Sequence, residues 1–363
     1  MTEAQSLTTA LEKLVQRAIA QAGGWLPFDR FMALALYAPG LGYYASHSRK
    51  FGQMPESGSD FVTAPELSPL FGRALAVQVA DALRATGTRE VWEFGAGSGA
   101  LAGQLLDVLG EDVDRYTIVD LSGTLRERQQ AALAGHAPRV QWASELPEQM
   151  RGVVVGNEVL DAMPVKLLVR TAGVWHERGV AWHEQRCTWA DQPTELRPPV
   201  EVEGDHDYLT EIHPQAEAFM RTLADRLVQG AAFLLDYGFP EAEYYHPQRH
   251  MGTLMCHRAH QADGDPLADL GLKDITAHVN FTGVALAAQE AGLPTLGYAT
   301  QARFLMNCGV VDLMAAASVA QRTNALKLVN EHEMGELFKV IALSRTQGWE
   351  PLGFLQGDRT HTL

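Results

Sequence analysis

Residues 93–99 read Glu93-Phe94-Gly95-Ala96-Gly97-Ser98-Gly99, and they join an apolar stretch that starts at Val91 to a helical pattern that starts near Ala100. Glycines at every second position let the backbone turn tightly and approach a ligand where a Cβ would collide. A strand, a glycine-rich turn and a helix in this order are typical of the first unit of a nucleotide-binding sheet. The loop therefore predicts a cofactor-binding site, whose candidate residues are Glu93, Gly95, Ala96, Gly97 and Gly99.

Beyond this loop, short apolar stretches alternate with helical patterns, which is typical of parallel βα units. The stretches are apolar on both faces, as in strands at the middle of a covered sheet. The sequence therefore predicts an α/β fold with helices on both faces of a mostly parallel sheet. The predicted strands are VWEF from Val91, YTIVD from Tyr116, VQWA from Val140, GVVVGNEV from Gly152, AAFLLDYG from Ala231, and Phe338 to Leu343.

Two segments interrupt this pattern and divide the chain into predicted regions. Residues 166–212 are rich in tryptophan and lack a crossover helix, which predicts a β-rich insertion, and residues 240–273 form a second insertion. Residues 1–75 lie outside the βα pattern and are expected to cover a cleft. The predicted core therefore spans residues 76–347, with a C-terminal tail at 348–363.

The composition is that of an ordinary globular protein. The 363 residues include 29 Lys and Arg against 44 Asp and Glu, a formal charge of −15, and 46% are hydrophobic. The negative charge argues against a non-specific nucleic-acid binder, because phosphate binding needs a basic surface. The three cysteines, Cys187, Cys256 and Cys308, include no CxxC pair, so we expect no disulfide framework and no metal site.

The compartment is inferred from the first 45 residues. Leu7, Leu11, Leu14 and Ala18 have helical spacing, which favours a docked amphipathic helix over a signal or transit peptide. The most apolar stretch, residues 31–45, contains Pro39 and two glycines and is too short to span a bilayer. We therefore expect a cytoplasmic protein without membrane insertion.

Asp120 follows the second predicted strand, 25 residues beyond Gly95. In doubly wound folds this position receives ribose hydroxyls, and one carboxylate accepts hydrogen bonds from both. Glu93 is suited to hold the methionine ammonium of S-adenosylmethionine through a water, but would lie unfavourably close to a pyrophosphate. The loop also fits the dinucleotide pattern GxGxxA through Ala100, so a nicotinamide cofactor is the alternative. A third interpretation is a glycine-rich turn beside a solvated aspartate.

Blocks that resemble one known family span nearly the whole chain in order. The chain is similar to the MidA-type class I S-adenosylmethionine-dependent methyltransferases, whose mitochondrial members are complex I assembly factors and methylate a protein arginine. The most specific block is DFVTAPELSPLFG at residues 60–72. The other blocks are PGLGYY from Pro39, the glycine loop, IVDLS from Ile118, NEVLDAMP from Asn157, DYG from Asp236, DITAHV from Asp274, and Met334-Gly335.

The resemblance implies a Rossmann-like fold with a seven-stranded sheet, S-adenosylmethionine as methyl donor and a protein acceptor, namely an arginine in a complex I-type subunit. It also implies further cofactor-binding residues, which are Leu121, Ser122 and, in contact with the cofactor or the acceptor, Thr63, Pro65 and Glu66. Asn157 is a further candidate, because its amide offers a donor and an acceptor to the methionine part of the cofactor. Thr63, Pro65 and Glu66 have a structural alternative, because they also fit a helix capping box. Asn280 stands where the family often has Asp, which puts a catalytic role at that position in doubt.

An arginine acceptor requires carboxylates, because a guanidinium is charged and a poor nucleophile. Glu158 and Asp161 follow the fourth predicted strand, at the edge where doubly wound sheets bind ligands. A helical turn would place both on one face, and we predict that they are the catalytic residues. The alternatives are that Glu158 caps a helix and that Asp161 pairs with a cation.

Two further groups are candidates without an assigned role. Residues 236–238 end the fifth strand and are an acceptor-side candidate. Asp274 and His278 would meet on one helix face, for catalysis or for structural pairing.

Two functions other than a methyltransferase are compatible with the sequence. They are a nicotinamide-dependent oxidoreductase and an assembly chaperone that binds S-adenosylmethionine only as a structural ligand. A homodimer is compatible with the apolar and aromatic side chains of the insertions.

Overall fold

The computed structural model describes residues 3–45, 63–120, 123–258 and 261–363. The candidates Leu121 and Ser122, and the start of the DFVTAPELSPLFG block, lie outside the described residues. The helices are α1 (Glu3–Gln21), α2 (Phe28–Tyr37), α3 (Ala64–Leu67), α4 (Pro69–Thr86), α5 (Ala100–Leu109), α6 (Gly123–Ala132), α7 (Pro214–Arg226), α8 (Glu241–Tyr244), α9 (Phe281–Glu290), α10 (Gln301–Asn307), α11 (Val310–Ala316) and α12 (Val319–Val329). The strands are β1 (Trp25–Pro27), β2 (Glu90–Phe94), β3 (Arg115–Val119), β4 (Val140–Ala143), β5 (Met150–Asn157), β6 (Lys166–Thr171), β7 (Val174–His183), β8 (Arg186–Pro193), β9 (Tyr208–Ile212), β10 (Leu227–Phe239), β11 (Met255–Arg258), β12 (Gln261–Asp263), β13 (Asp274–Thr276), β14 (Val279–Asn280), β15 (Thr295–Thr300) and β16 (Phe338–Ser344).

The main sheet has the order β15-β16-β10-β5-β2-β3-β4, with β14 beside β10. Strands β10, β5, β2, β3 and β4 pair in parallel, whereas β16 is antiparallel to both of its neighbours. The mostly parallel α/β fold is thereby confirmed. The short β14 makes one strand more than the seven expected, because Gly238 has no Cβ to block the backbone of Val279. The chain leaves β2 towards β4 and returns to β5, which creates a crevice at the carboxyl ends of β2 and β5.

Both faces of the main sheet are covered because its central strands are apolar on both sides. Every residue of β5 except Arg151 is buried. Helices α4, α5, α10 and α12 contribute to the core on one face, and α7 and α9 contribute to the core on the other. The burial of apolar side chains on each face contributes about 25 cal/mol per Å² to the stability of the fold.

A second, antiparallel sheet lies beside the crevice and has the order β1-β7-β6-β9, with β8 paired to β7. Helices α1 and α2 share an apolar core with this sheet, to which Leu11, Phe31 and Val180 belong. Strands β11, β12 and β13 form a third, small sheet. The N-terminal helices and both predicted insertions therefore pack together at one edge of the main sheet.

The predicted domain boundaries stay predictions, with one change. The boundary at residue 75 falls inside α4, whose residues Leu70, Leu75 and Val79 all belong to the core of the main sheet. We propose that the division lies before α4. The C-terminal tail is docked, since the amide of Gly353 donates to the Gln78 side chain at 2.6 Å.

Two global features complete the fold. In the described ranges, no helix is both long and apolar enough to cross a membrane. The three cysteines are free thiols; Cys256 and Cys308 are buried and Cys187 is partly exposed.

Candidate functional site

A cavity of about 1410 Å³ lies at the carboxyl edge of the main sheet, between the glycine loop and residues of the N-terminal segment and the small third sheet. The predicted site residues that line it are Thr63, Pro65, Glu66, Glu93, Gly95, Ala96, Gly97, Asp120, Asn157, Glu158 and Asp161. Gly99 does not line the cavity. The structure thus brings together candidates from four separate stretches of the chain.

The glycine loop has the conformation that only glycine adopts without strain. The φ angles of Gly95, Gly97 and Gly99 are 65°, 53° and 86°, all in the left-handed region. Gly99 lies at the N-terminal cap of α5, and a Cβ there would lie 3.4 Å from the Cα of Gln129. Gly99 therefore allows the turn into α5 and its close packing against Gln129, whereas Gly95 and Gly97 face the cavity.

Gln129 on α6 is a site residue that the sequence analysis missed. Its buried amide nitrogen donates to the carbonyl oxygen of Gly97 and to Oδ2 of Asp120, both at 3.0 Å. Its amide oxygen accepts a hydrogen bond from the Trp142 indole at 2.8 Å. Gln129 thus fixes the glycine loop and Asp120 relative to each other. No motif marked it, because glutamine on a polar helix carries no pattern of its own.

Glu93 is a buried carboxylate at the end of β2. It is only 2% exposed, and its Oε2 accepts a hydrogen bond from the Tyr116 hydroxyl at 2.7 Å. Burial raises the pKa of Glu93 to about 7; the Tyr116 hydrogen bond opposes this rise and the charge of Asp120 adds to it. A cation bound beside Glu93 would favour the ionised form.

Residues 158–161 form a turn held by one carboxylate. Oδ2 of Asp236 accepts hydrogen bonds from the amides of Val159, Leu160 and Asp161 at 3.1, 2.8 and 3.2 Å. Glu158 has a φ of 55°, a strained value for a residue with a side chain. The chain is therefore not helical at this point, and Glu158 caps no helix. Glu158 and Asp161 nevertheless line the same cavity.

Neither of these two carboxylates pairs with a cation in the described part of the chain. Asn157 donates its amide hydrogen to Oε1 of Glu158 at 2.9 Å, and the Tyr237 hydroxyl donates to Oδ2 of Asp161 at 2.5 Å. Burial, and after it the charge of Asp161, raise the pKa of Glu158 to about 8. Burial also raises the pKa of Asp161, to about 6.

Among the described residues at the site, the buried atoms without a hydrogen-bond partner include Oδ1 of Asn157 and Oδ1 of Asp161. A buried acceptor without a donor costs about 1 to 3 kcal/mol, and more when it is charged. Both residues line the cavity. A bound ligand with hydrogen-bond donors would therefore satisfy these acceptor atoms.

The N-terminal segment, residues 1–75, contributes Thr63, Pro65 and Glu66 to the cavity lining. Thr63 is the N-cap residue of α3 and Pro65 lies in its first turn, as the helix-entry alternative predicted. The Thr63 side chain makes no capping hydrogen bond, so the capping box itself is wrong. The carbonyl of Pro65 accepts a hydrogen bond from Gln104 on α5 at 2.7 Å. The segment is thereby attached to the helix that follows the glycine loop.

Asp274 and His278 do not share a helix, so the geometry in which a helix would bring them together does not occur. Asp274 lies on β13, and the Tyr44 hydroxyl donates to its two carboxylate oxygens at 2.9 and 2.8 Å. His278 packs edge-on against Tyr237, with ring centroids 5.2 Å apart. Burial lowers the pKa of His278 to about 4, so the ring is neutral at physiological pH.

Asn280 is a structural residue. Its side chain caps α9 by accepting a hydrogen bond from the amide of Gly283 at 3.2 Å. Asp and Asn cap helices equally well. The difference at this position therefore leaves the reacting residues unchanged.

Glu158→Gln is expected to stabilise the ligand-free protein at high pH. The folded-state pKa of Glu158, about 8, lies above the ordinary 4.5, so the folded state binds this proton more tightly. The resulting stability is complete below about pH 4.5 and is lost as the pH rises to about 8. At about pH 8.5 the melting temperature should rise by about 2 to 5 °C, with little change at about pH 4.5. The exposed Glu148→Gln is the control in calorimetry, and equal melting curves for both variants would refute the assignment.

The chain matches a known family over residues 74–299, a family of S-adenosyl-L-methionine-dependent methyltransferases. The mitochondrial protein arginine methyltransferase NDUFAF7 of Danio rerio is 26% identical and covers 93% of this chain and 87% of its own length. The protein of that name from Homo sapiens is 27% identical, and the match covers 90% of this chain and 82% of the human protein. A crystal structure from Burkholderia thailandensis with bound S-adenosyl-homocysteine is 49% identical, with a TM-score of 0.96 over 100% of this chain and 99% of that one.

These relatives correct the expected location. The names of the NDUFAF7 relatives place those proteins in mitochondria, so the expectation of a cytoplasmic protein is wrong. The error arose because helical spacing of apolar residues in the first segment reports how α1 packs. It does not report the compartment in which the protein folds.

Proposed function

Since the chain belongs to this family of S-adenosyl-L-methionine-dependent methyltransferases, we propose that it methylates an arginine side chain of a protein acceptor. The observation that carries this proposal is the buried, unpartnered Oδ1 of Asp161 in a cavity that also holds Glu158. A guanidinium offers donors and positive charge to both carboxylates. The names of the curated relatives, which are protein arginine methyltransferases, support the same acceptor.

The described residues fit the methyl donor, because the unpartnered Oδ1 of Asn157 and the glycine loop face one cavity. We assign Asp120 to the ribose hydroxyls, Glu93 to the methionine ammonium and Asn157 to the methionine part. Residues 95–97 line the cavity and would contact the donor through their backbone. The roles of Thr63, Pro65, Glu66, Leu121 and Ser122 in cofactor binding stay predictions. When bound, S-adenosylmethionine supplies an electrophilic methyl group.

Glu158 and Asp161 act on the acceptor. Two carboxylates beside a guanidinium hold it in one orientation and leave one nitrogen directed at the donor. Asp161, whose pKa is raised to about 6 by burial, is ionised at neutral pH and suited to receive the proton that this nitrogen releases. The tyrosines around the cavity exclude water from the reacting groups.

We further propose that the acceptor is a subunit of an NADH dehydrogenase-type complex, as the resemblance of the sequence blocks implies. The test is mass spectrometry of that complex from cells that lack the gene and carry either the wild type or Asp161→Asn. We expect a methylated arginine with the wild type alone. Methylation with both versions would refute the catalytic role of Asp161. Normal assembly of the complex with the methylation-deficient variant would favour the chaperone alternative.

The oligomeric state stays a prediction. Sedimentation velocity of the purified chain distinguishes a monomer of 39.7 kDa from a homodimer. A homodimer would agree with the apolar and aromatic side chains of the insertions, and a monomer would exclude that interpretation of them.

A further inference from the structure

Two consecutive residues at the end of β10 hold the same turn. Asp236 accepts hydrogen bonds from the backbone amides of residues 159–161, so it fixes the backbone of the turn. Tyr237 donates its hydroxyl to Oδ2 of Asp161, so it fixes the side chain that the turn carries. The strand thus controls both the position and the orientation of Asp161.

The Tyr237 hydroxyl is itself held in place by packing. Its ring lies edge-on to His278, with centroids 5.2 Å apart and an interplanar angle of 80°. The ring centroid of Phe338 lies 5.3 Å from that of Tyr237, with an interplanar angle of 67°. A ring held by two aromatic neighbours has little freedom to move its hydroxyl away from the carboxylate.

The hydrogen bond divides the two oxygens of Asp161 between two tasks. Oδ2 accepts the hydrogen bond from the Tyr237 hydroxyl, whereas Oδ1 is buried and has no hydrogen-bond partner among the described residues. The other titratable groups whose charges act together with Asp161 are Glu158 on the same turn, Asp236 on β10, and Tyr37 and Tyr44 of the N-terminal segment. All of these groups are acids, whereas the cations Arg249 and Lys339 act on His278, whose pKa they lower. Among the described residues, no ion pair holds Asp161.

We infer that Tyr237 is a positioning residue, which holds Oδ2 of Asp161 so that Oδ1 faces the acceptor nitrogen. This inference rests on the proposed function for the identity of the acceptor. The hydroxyl also lowers the pKa of Asp161, in opposition to burial. Tyr237 donates its hydroxyl to the carboxylate of Asp161, and the role assigned to it is to position that carboxylate.

The experiment is a ¹³C NMR titration of Asp161 in the full chain with bound S-adenosyl-homocysteine, with the signal assigned through Asp161→Asn. Tyr237→Phe keeps the ring and removes the hydroxyl. We expect the midpoint of Asp161 to rise by about one pH unit. We also expect about tenfold weaker binding of the peptide acetyl-Gly-Arg-Gly-amide. An unchanged midpoint would overturn the role of Tyr237.

Matched variants keep the test decisive. Tyr244→Phe removes a buried hydroxyl that donates to Glu211 at 2.8 Å outside the cavity lining, and it should change neither readout. If Tyr237→Phe fails to fold, 3,5-difluorotyrosine at position 237 keeps the hydroxyl and strengthens it as a donor, so the midpoint should fall. Failure of the wild type to bind the peptide, with the midpoint shift intact, would refute the arginine acceptor and support the role of Tyr237.

Discussion

Asp161→Asn is expected to lower the rate of methyl transfer by about a hundredfold to ten-thousandfold, with the affinity for S-adenosylmethionine within about twofold of the wild type. The amide keeps the size of the side chain, and its oxygen can still accept the hydrogen bond from the Tyr237 hydroxyl. It cannot receive a proton at neutral pH and brings no negative charge to a guanidinium. The proposed function therefore predicts loss of turnover without loss of donor binding.

The measurement is transfer of tritiated methyl from S-adenosylmethionine to protein in an extract of cells that lack the gene, beside calorimetric titration of the donor. Asp81→Asn is the matched control. Asp81 accepts hydrogen bonds from Trp349 and Gln78 at 3.0 and 3.2 Å and lies outside the cavity lining. Equal turnover in Asp161→Asn and the wild type would refute a catalytic Asp161, whereas equal loss in both variants would indicate a general effect on the fold.

Gly97→Val should reduce the affinity for S-adenosylmethionine at least about a hundredfold. Gly97 lines the cavity with a φ of 53°, where a β-branched side chain is strained. Its carbonyl oxygen accepts the hydrogen bond from Gln129 that connects the loop to Asp120. The substitution would both fill the approach to the donor and disturb this connection.

Calorimetric titration with S-adenosylmethionine measures this loss, and Gly173→Val separates it from backbone strain. Gly173 has a φ of 78° in the turn between β6 and β7, and an added Cβ there meets no atom within 4 Å. Both variants should lose stability, but only Gly97→Val should lose the donor. Micromolar binding by Gly97→Val would contradict the assigned cofactor site.

The extent to which the site was predictable follows from where its residues lie relative to the strands. Glu93, Asp120 and Glu158 each lie at or just after the end of a parallel strand. The carboxyl ends of such strands meet at one edge, so position along the chain was enough to group them. The apolar pattern of β5 and β10 likewise predicted a sheet covered on both faces.

The contacts between those residues were not predictable in the same way. Tyr237 lies 76 residues from Asp161, and Tyr44 lies 230 residues from Asp274, although each pair is hydrogen-bonded. Periodicity reports which face of an element is buried, but not which distant side chain meets it. The spacing of Glu158 and Asp161, and of Asp274 and His278, would suit a helix, but hydrogen bonds from distant residues decided the local backbone of both segments.

The sequence by itself therefore determined the parallel sheet, the glycine loop and the family of the protein, since these depend on local pattern and on strand order. The tertiary structure alone decided that Gln129 holds Asp120, that Asp236 shapes the turn at 158–161, and that Tyr237 leaves one oxygen of Asp161 unpartnered. The physical reason is that a buried polar atom must find its partner in space, and the fold, not the spacing in the chain, supplies it.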